Sequence, residues 1–267
     1  MPVSPEPDPA RPTPAGIYDY LLGGQHYSAA DQAAAEQAVA MTPATRSEVI
    51  ENRAFLRRAV RYLASRGITQ YLDLGSGYPA GGAVHQTAAE LITSPRVVYV
   101  DNDPRVAEIS RGWLDSPDTA VIVRDVRRPA DIIGDPQTRR LIDWSRPVAV
   151  LLVSILHFIR DEDGPAGIVA AFGEQMAPGS YLVLSHGVVL DDPEFVGQVA
   201  RNWDRAASGV VMRTRDEVAG FLAGFDLVPP GLVTTVEWGT GRPPATGACS
   251  VLAAVGTLPA TPPKESG

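Results

Sequence analysis

Cysteine is almost absent: Cys249 is the single one in 267 residues. No intrachain disulfide framework and no cysteine-based metal site can form, which fits a reducing cytoplasm. Cys249 itself lies among small and apolar residues and reads as core packing. His26, His85, His157 and His186 are scattered, with no pair at helical i, i+4 spacing, so no metal is expected. Long apolar runs are missing too. The longest, Val148 to Ile159, falls far short of the roughly 20 residues a membrane span needs and reads as a buried strand. No charged start followed by an apolar signal core appears, so no membrane partner is expected. Positive charge is scarce, and the formal net charge of −8 gives no attraction to phosphate backbones. Nucleic acid is therefore not an expected partner. Arg53, Arg57, Arg58, Arg61 and Arg66 gather on one predicted helix, where a charge run is ordinarily a solvated face.

What the chain does contain is Tyr71-Leu72-Asp73-Leu74-Gly75-Ser76-Gly77, an apolar strand that delivers a carboxylate and two glycines into a turn. Glycine permits left-handed backbone angles and close approach of a ligand to the main chain. Gly75, Gly77 and Ala80 satisfy the dinucleotide fingerprint by spacing, so a nicotinamide dinucleotide and S-adenosylmethionine are both formally open. Charge separates them. A pyrophosphate would meet Asp73 where donors are wanted, Pro79 has no N–H to give, and no Lys or Arg lies between Tyr71 and Pro95. A sulfonium and an ammonium are attracted instead, by about 4 kcal/mol for a pair about 4 Å apart at an effective dielectric of 20.

Two more acids end the next two apolar runs. Val97-Val98-Tyr99-Val100 leads to Asp101, where a carboxylate suits a pair of ribose hydroxyls. Ala120-Val121-Ile122-Val123 leads through Arg124 to Asp125, placed to accept from an adenine amino group. Each acid alone is ordinarily a cap or turn residue; three in series behind a glycine turn favour a cofactor site.

At these residues the chain resembles the class I S-adenosylmethionine-dependent methyltransferases: Tyr71 to Gly77 is similar to their first motif, Val98 to Asp103 to the second and Arg124 to Val126 to the third. Asp19-Tyr20-Leu21-Leu22-Gly23-Gly24, Asn52-Arg53-Ala54-Phe55-Leu56, Val98 to Pro104, Leu156-His157-Phe158-Ile159 and Pro178 to Leu182 resemble, more narrowly, the signatures of a bacterial S-adenosyl methyltransferase family once catalogued as a domain of unknown function. That likeness runs from about Thr13 to Leu258. It implies that Asp73, Gly75 and Gly77 line the methionine end, Asp101 holds the ribose, and Asp125 with Val126 frames the adenine. Ser76, Asn102, Ser154 and Tyr20 complete the expected cofactor-binding set. Tyr78-Pro79 departs from the general pattern, replacing the third glycine region.

The expected fold is α/β and Rossmann-like, a seven-stranded, mostly parallel sheet with an antiparallel last strand, helices on both faces and an N-terminal helical extension. Prolines fill residues 1–14, predicting a disordered tail, and 259–267 frays similarly, leaving 15–258 as one methyltransferase domain. Asp103-Pro104, Asp135-Pro136 and Asp192-Pro193 mark helix starts, as does the Thr214/Glu217 capping box. Glu51 to Arg66 predicts a helix stopped by Gly67; Val148 to Val153 and Tyr181 to Ser185 predict the fourth and fifth strands. Gly231 to Trp238 and Cys249 to Leu258 predict a closing hairpin.

Ligands of open parallel sheets bind where the strand order reverses, beside Ser154 and His157 here. His157 is the catalytic candidate, as a base or as a donor that orients the acceptor, with a hydrogen-bonded strand-closing histidine as the plainer reading. His186 is a second, lesser candidate, and His85 belongs to the first helix after the glycine turn. No nucleophile elbow surrounds Ser154 or Ser185, which disfavours a hydrolase. Residues 15–66 read as a helical lid or, equally, as helices packed on the sheet edge; Asn52 and Arg53 could reach the cofactor carboxylate. The acceptor, a small molecule, would lie among that segment, Gly187 to Asp192, Trp203 and Gly239 to Gly247. The competing functions are a non-catalytic S-adenosylmethionine-binding regulator and an NAD-dependent oxidoreductase. No residue pattern specifies an oligomeric state.

Overall fold

A computed structural model describes residues 11–114, 116–189, 209–243 and 249–259. Residues 1–10 and 260–267 of the expected tails, the Asp192-Pro193 helix start, Trp203, residues 190–192 and 244–247 of the expected acceptor segments and the packing of the Cys249 side chain lie outside those residues, whereas at the end of the expected N-terminal tail Thr13 caps a helix that Pro14 begins. Strands β1 (Gln70–Leu74), β2 (Arg96–Asp101), β3 (Thr119–Val123), β4 (Ala149–Val153), β5 (Tyr181–Val189), β6 (Asp226–Leu227), β7 (Val233–Thr234) and β8 (Cys249–Thr257) form one sheet in the order β3-β2-β1-β4-β5-β8-β6, with β7 also on β8. The first five strands pair in parallel and β8 runs antiparallel to β5.

Among the described residues the sheet has eight strands where seven are expected, and two of them, β6 and β7, are only two residues long. The expected hairpin shrinks accordingly. Val233 and Thr234 pair with Ala253 and Leu252, Thr235 N–H still reaches Val251 C=O at 2.8 Å, and the chain turns away after that. β8 instead spends all nine residues on β5, which itself runs four residues past the expected Ser185.

Alternating side chains on buried strands load both faces, as parallel sheets require. One face carries Leu72, Leu74, Val98, Val150, Leu152 and Leu184 against α6 (Pro129–Ile133), α7 (Pro136–Leu141), α8 (Pro165–Gly173) and α9 (Arg215–Gly220). The other carries Tyr71, Val97, Tyr99, Leu151 and Val183 against α3 (Thr45–Ser65), α4 (Val84–Ala89) and α5 (Pro104–Arg111). Helix α3 begins six residues before the expected Glu51 and buries Phe55, Leu56, Ala59, Val60 and Leu63 at helical spacing. The expected caps form: Asp103 and Asp135 accept from the backbone N–H of Arg105 and Gln137, and Thr214 exchanges bonds with Glu217. Among the described residues no helix is long and apolar enough to cross a membrane.

Two further helices, α1 (Pro14–Leu22) and α2 (Ala29–Met41), precede α3 and pack on it through Ile17, Leu21, Ala34 and Ala35. Two buried carboxylates fix their connection. Asp31 accepts from the backbone N–H of Thr13 and Ser28, and Asp19 accepts from that of His26 at 2.6 Å. The sequence Asp19 to Gly24 is thereby explained: Gly23 ends α1 at φ 80°, and a Cβ on Gly24 would stand 2.1 Å from Asp19 Oδ1. Gly24→Ala is expected to displace that carboxylate from its amide and cost about 1–3 kcal/mol in urea denaturation. A variant as stable as the parent would show the cradle to be loose.

Candidate functional site

Strand order reverses between β1 and β4, so their carboxyl ends open a crevice, the usual ligand position in such sheets. Val100 C=O accepts from the N–H of both Gly75 and Ser76, at 2.7 and 3.0 Å, bending the chain sharply away from β1. Gly75 and Gly77 take φ of 71° and 63°, a region that costs other residues about 1–2 kcal/mol. Gly75 is also sterically closed: a Cβ there would lie 1.8 Å from Ile155 Cδ1, so the two walls of the crevice meet at this glycine.

Asp101 ends β2 beneath the turn and is 7% exposed. Its Oδ2 accepts from Gly77 N–H at 2.9 Å and its Oδ1 from Asp103 N–H at 3.0 Å. Burial raises its pKa, and those amides hold it back. Asp73 is 5% exposed, and burial pushes its pKa up to about 7, with Arg53 opposing the rise and Asp101 adding to it. Arg53, from α3, gives Nη2 to Ala80 C=O at 3.3 Å while its buried Nε has no partner among the described residues. A pocket lined by Arg53, Asp73, Ser76, Tyr78, His85 and Tyr99 opens here. Tyr78 is buried in the place of the usual third glycine and meets the His26 ring at 5.7 Å between centroids, so the α1–α2 connection reaches the glycine turn. His85 does belong to α4, where Nδ1 lies 2.7 Å from Tyr99 Oη.

On the other side of the crevice, Ser154 follows β4 at φ 57°, a strained angle for a serine. Its N–H reaches Ser185 Oγ at 2.9 Å; Ser185 donates to Asn52 Oδ1 at 2.7 Å, and Asn52 Nδ2 donates to Tyr18 Oη at 2.9 Å. This row joins the N-terminal helices to the tip of β4 and the middle of β5. Tyr18 thus occupies the inward position, whereas Tyr20 bonds Glu36, stacks edge-on against Tyr27 and lies under Arg46. Asp125 binds its own turn, accepting from Arg127 N–H and guanidinium, and Val126 packs on the core. Burial would raise the Asp125 pKa, yet the Arg127 contacts outweigh it and hold it low. Asn102 is exposed beside Asp101.

His157 stands after β4, edge-on to His186 on β5 with ring centroids 5.5 Å apart. A residue absent from the sequence reading, Arg213, closes this corner: buried, it donates to Leu156 C=O, Ile159 C=O and Asp161 and lies 3.0 Å from His186 Nε2. The only signal was one arginine at the end of Val210-Val211-Met212, before a helix cap.

Strand order, glycine turn and strand-tip acids together define a class I methyltransferase. The chain matches the S-adenosyl methyltransferase family over residues 3–259 and belongs to it. Its cofactor is S-adenosylmethionine, and the site's chemistry fits: buried acids for a cation, and an unpartnered guanidinium nitrogen for a carboxylate. A Thermobifida fusca protein assigned as a methyltransferase is 37% identical, with TM-score 0.89 over 94% of this chain and 96% of its own. A DUF574 family protein from Streptomyces avermitilis is also 37% identical, with TM-score 0.88 over 93% and 98%. Human N-acetylserotonin methyltransferase, crystallised with S-adenosylmethionine, shares the fold alone, at 16% identity and TM-score 0.50 over 94% of this chain and 64% of its own. No functionally curated protein matches the sequence.

Asp73 carries a testable cost. A carboxyl whose folded-state pKa lies above its unfolded value binds its proton more tightly when folded, so its stabilising contribution is complete below about pH 4 and gone above about pH 7. The loss is on the order of 4 kcal/mol. Asp73→Asn, an isostere of the protonated form, is expected to make the cofactor-free protein more stable than the parent at pH 8 and nearly equal to it at pH 4, measured by chemical denaturation. Equal stability at pH 8 would mean that the carboxylate is solvated.

Proposed function

We propose that this protein transfers the methyl group of S-adenosylmethionine to a small-molecule acceptor at the carboxyl ends of β4 and β5 in a cytoplasmic setting. The observation that carries the reading is the pair of buried acids, Asp73 and Asp101, on either side of a glycine turn whose first glycine is packed against Ile155. In this reading Asp73 faces the ammonium and sulfonium end, with the main chain of Gly75, Ser76 and Gly77, and Arg53 answers the cofactor carboxylate. Asp101 and Asn102 hold the ribose, Asp125 and Val126 the adenine, while Ser154 bounds the cofactor's other side; Tyr20, engaged with Glu36 and Tyr27, is left out of the set. S-adenosylmethionine brings an already activated methyl, so the acceptor–carbon bond forms as the carbon–sulfur bond breaks and sulfur leaves as a neutral thioether. The protein's share is alignment and exclusion of water. The formal net charge of −8 supports a small acceptor over nucleic acid.

Isothermal titration of the full chain should show binding of S-adenosylmethionine and S-adenosylhomocysteine and no heat with NAD. Asp101→Ala, checked for folding by circular dichroism, should weaken the first two at least tenfold, about 1.4 kcal/mol. NAD binding without S-adenosylmethionine binding would reverse the assignment. Because the Asp73 pKa lies at about 7, affinity for S-adenosylmethionine should also fall as pH drops from 7.5 to 5.5, and Asp73→Asn should abolish that slope. A slope that persists in the variant would assign the titration to another group.

A further inference from the structure

Arg213, His186, Gly187 and His157 lie along a line of hydrogen bonds in which the chemistry of each partner fixes which atom donates. Arg213 Nη1 lies 3.0 Å from His186 Nε2. A guanidinium has no acceptor, so it must donate, and Nε2 must present a lone pair. The His186 proton is then on Nδ1, which lies 2.7 Å from Gly187 C=O, an oxygen that can only accept. On the same residue Gly187 N–H points to His157 Nδ1 at 3.5 Å, a long bond that again requires a lone pair at the receiving nitrogen. His157 is left with its proton on Nε2.

Resting on the methyltransferase reading above, we propose that His157 serves the methyl acceptor as a neutral hydrogen-bond donor through Nε2–H, and not as a base, with Arg213 the positioning residue that fixes the line. The described groups around it agree. His157 is faced by His186, Arg213 and the Phe158 ring, and the Arg213 guanidinium lies over Phe221 at 5.2 Å. Among the described residues the carboxylates near Arg213 are Asp161, on its outer side and 79% exposed, and Glu217, engaged in its own helix cap. Neither contacts the His157 ring directly, so neither provides the carboxylate partner that normally turns a histidine into a stronger base. Burial, then His186, then Arg213 hold the His157 pKa well below the usual 6.5, and burial with Arg213 brings that of His186 to about 4. Val211 N–H donates to His157 C=O at 2.8 Å, so the segment carrying Arg213 also fixes the histidine's backbone.

The experiment is long-range proton–nitrogen NMR on the full chain labelled at its four histidines, with His157→Gln and His186→Gln used for assignment. Expected are an Nδ1–H tautomer for His186 and an Nε2–H tautomer for His157, both neutral down to pH 5. A His157 proton on Nδ1, or a titration midpoint near 6.5, would overturn the proposal. Arg213→Met should raise the His186 titration midpoint from about 4 toward the usual 6.5, because the cation that opposes the imidazolium is gone, while Arg213→Lys keeps it low. An unchanged His186 midpoint in a folded Met variant would remove Arg213 from its role, and should that variant not fold, a midpoint near 6.5 in the Lys variant would do the same. Calorimetry with S-adenosylhomocysteine on the same samples separates the two readings: binding with the wrong tautomers sinks only the donor, and correct tautomers without binding sink the cofactor site.

Discussion

The side chain of Asn52 is the junction on which the arrangement of the site depends. It is 1% exposed and satisfies Tyr18 of α1 with its amide nitrogen and Ser185 of β5 with its oxygen. Ser185 in turn receives the N–H of Ser154 at the tip of β4. Three elements far apart in sequence are thereby held at one point, in a place where a lost partner would leave a buried polar group unsatisfied at a cost of about 1–3 kcal/mol. The left-handed backbone of Ser154 persists because this row over-determines it.

Against that rigid side of the crevice stands a side that is electrostatically unfinished. Asp73 is buried with an elevated pKa, and the nearby Arg53 has a buried nitrogen without a partner. A fold tolerates such groups where a ligand completes them, and a zwitterionic amino-acid moiety carries both complements. Asp101 differs: two backbone amides already satisfy it, so it organises the glycine turn as well as presenting a carboxylate to the crevice.

Much of this was legible in the residues. The strand-end acids, the glycine turn and the Asp-Pro helix starts each report a local requirement, and local requirements survive in sequence. Asp73, Asp101, Gly75 and Gly77 therefore point to the crevice from the sequence alone. The rest depends on long-range pairing. Tyr18 and Tyr20 are two positions apart on one helix, and only packing of α1 on α3 decides which one turns inward. Arg213 meets His186 across 27 residues and shows no periodic or motif signal. The closing hairpin was overestimated because an apolar extended run looks alike whether it joins a sheet for eight residues or for two.

The place of β8 also bears on how the molecule comes into being. Its nine residues cover the outer edge of β5, and Leu258 closes the join with both its C=O and its N–H. During synthesis every parallel strand is thus made before the element that seals the sheet, and the growing chain carries an open ladder of amides until about residue 258 has emerged. Such an edge invites pairing with another nascent chain. A polypeptide interrupted shortly before Cys249 would keep the residues of the cofactor crevice and still be sticky, so a single nine-residue strand guards the solubility of the rest.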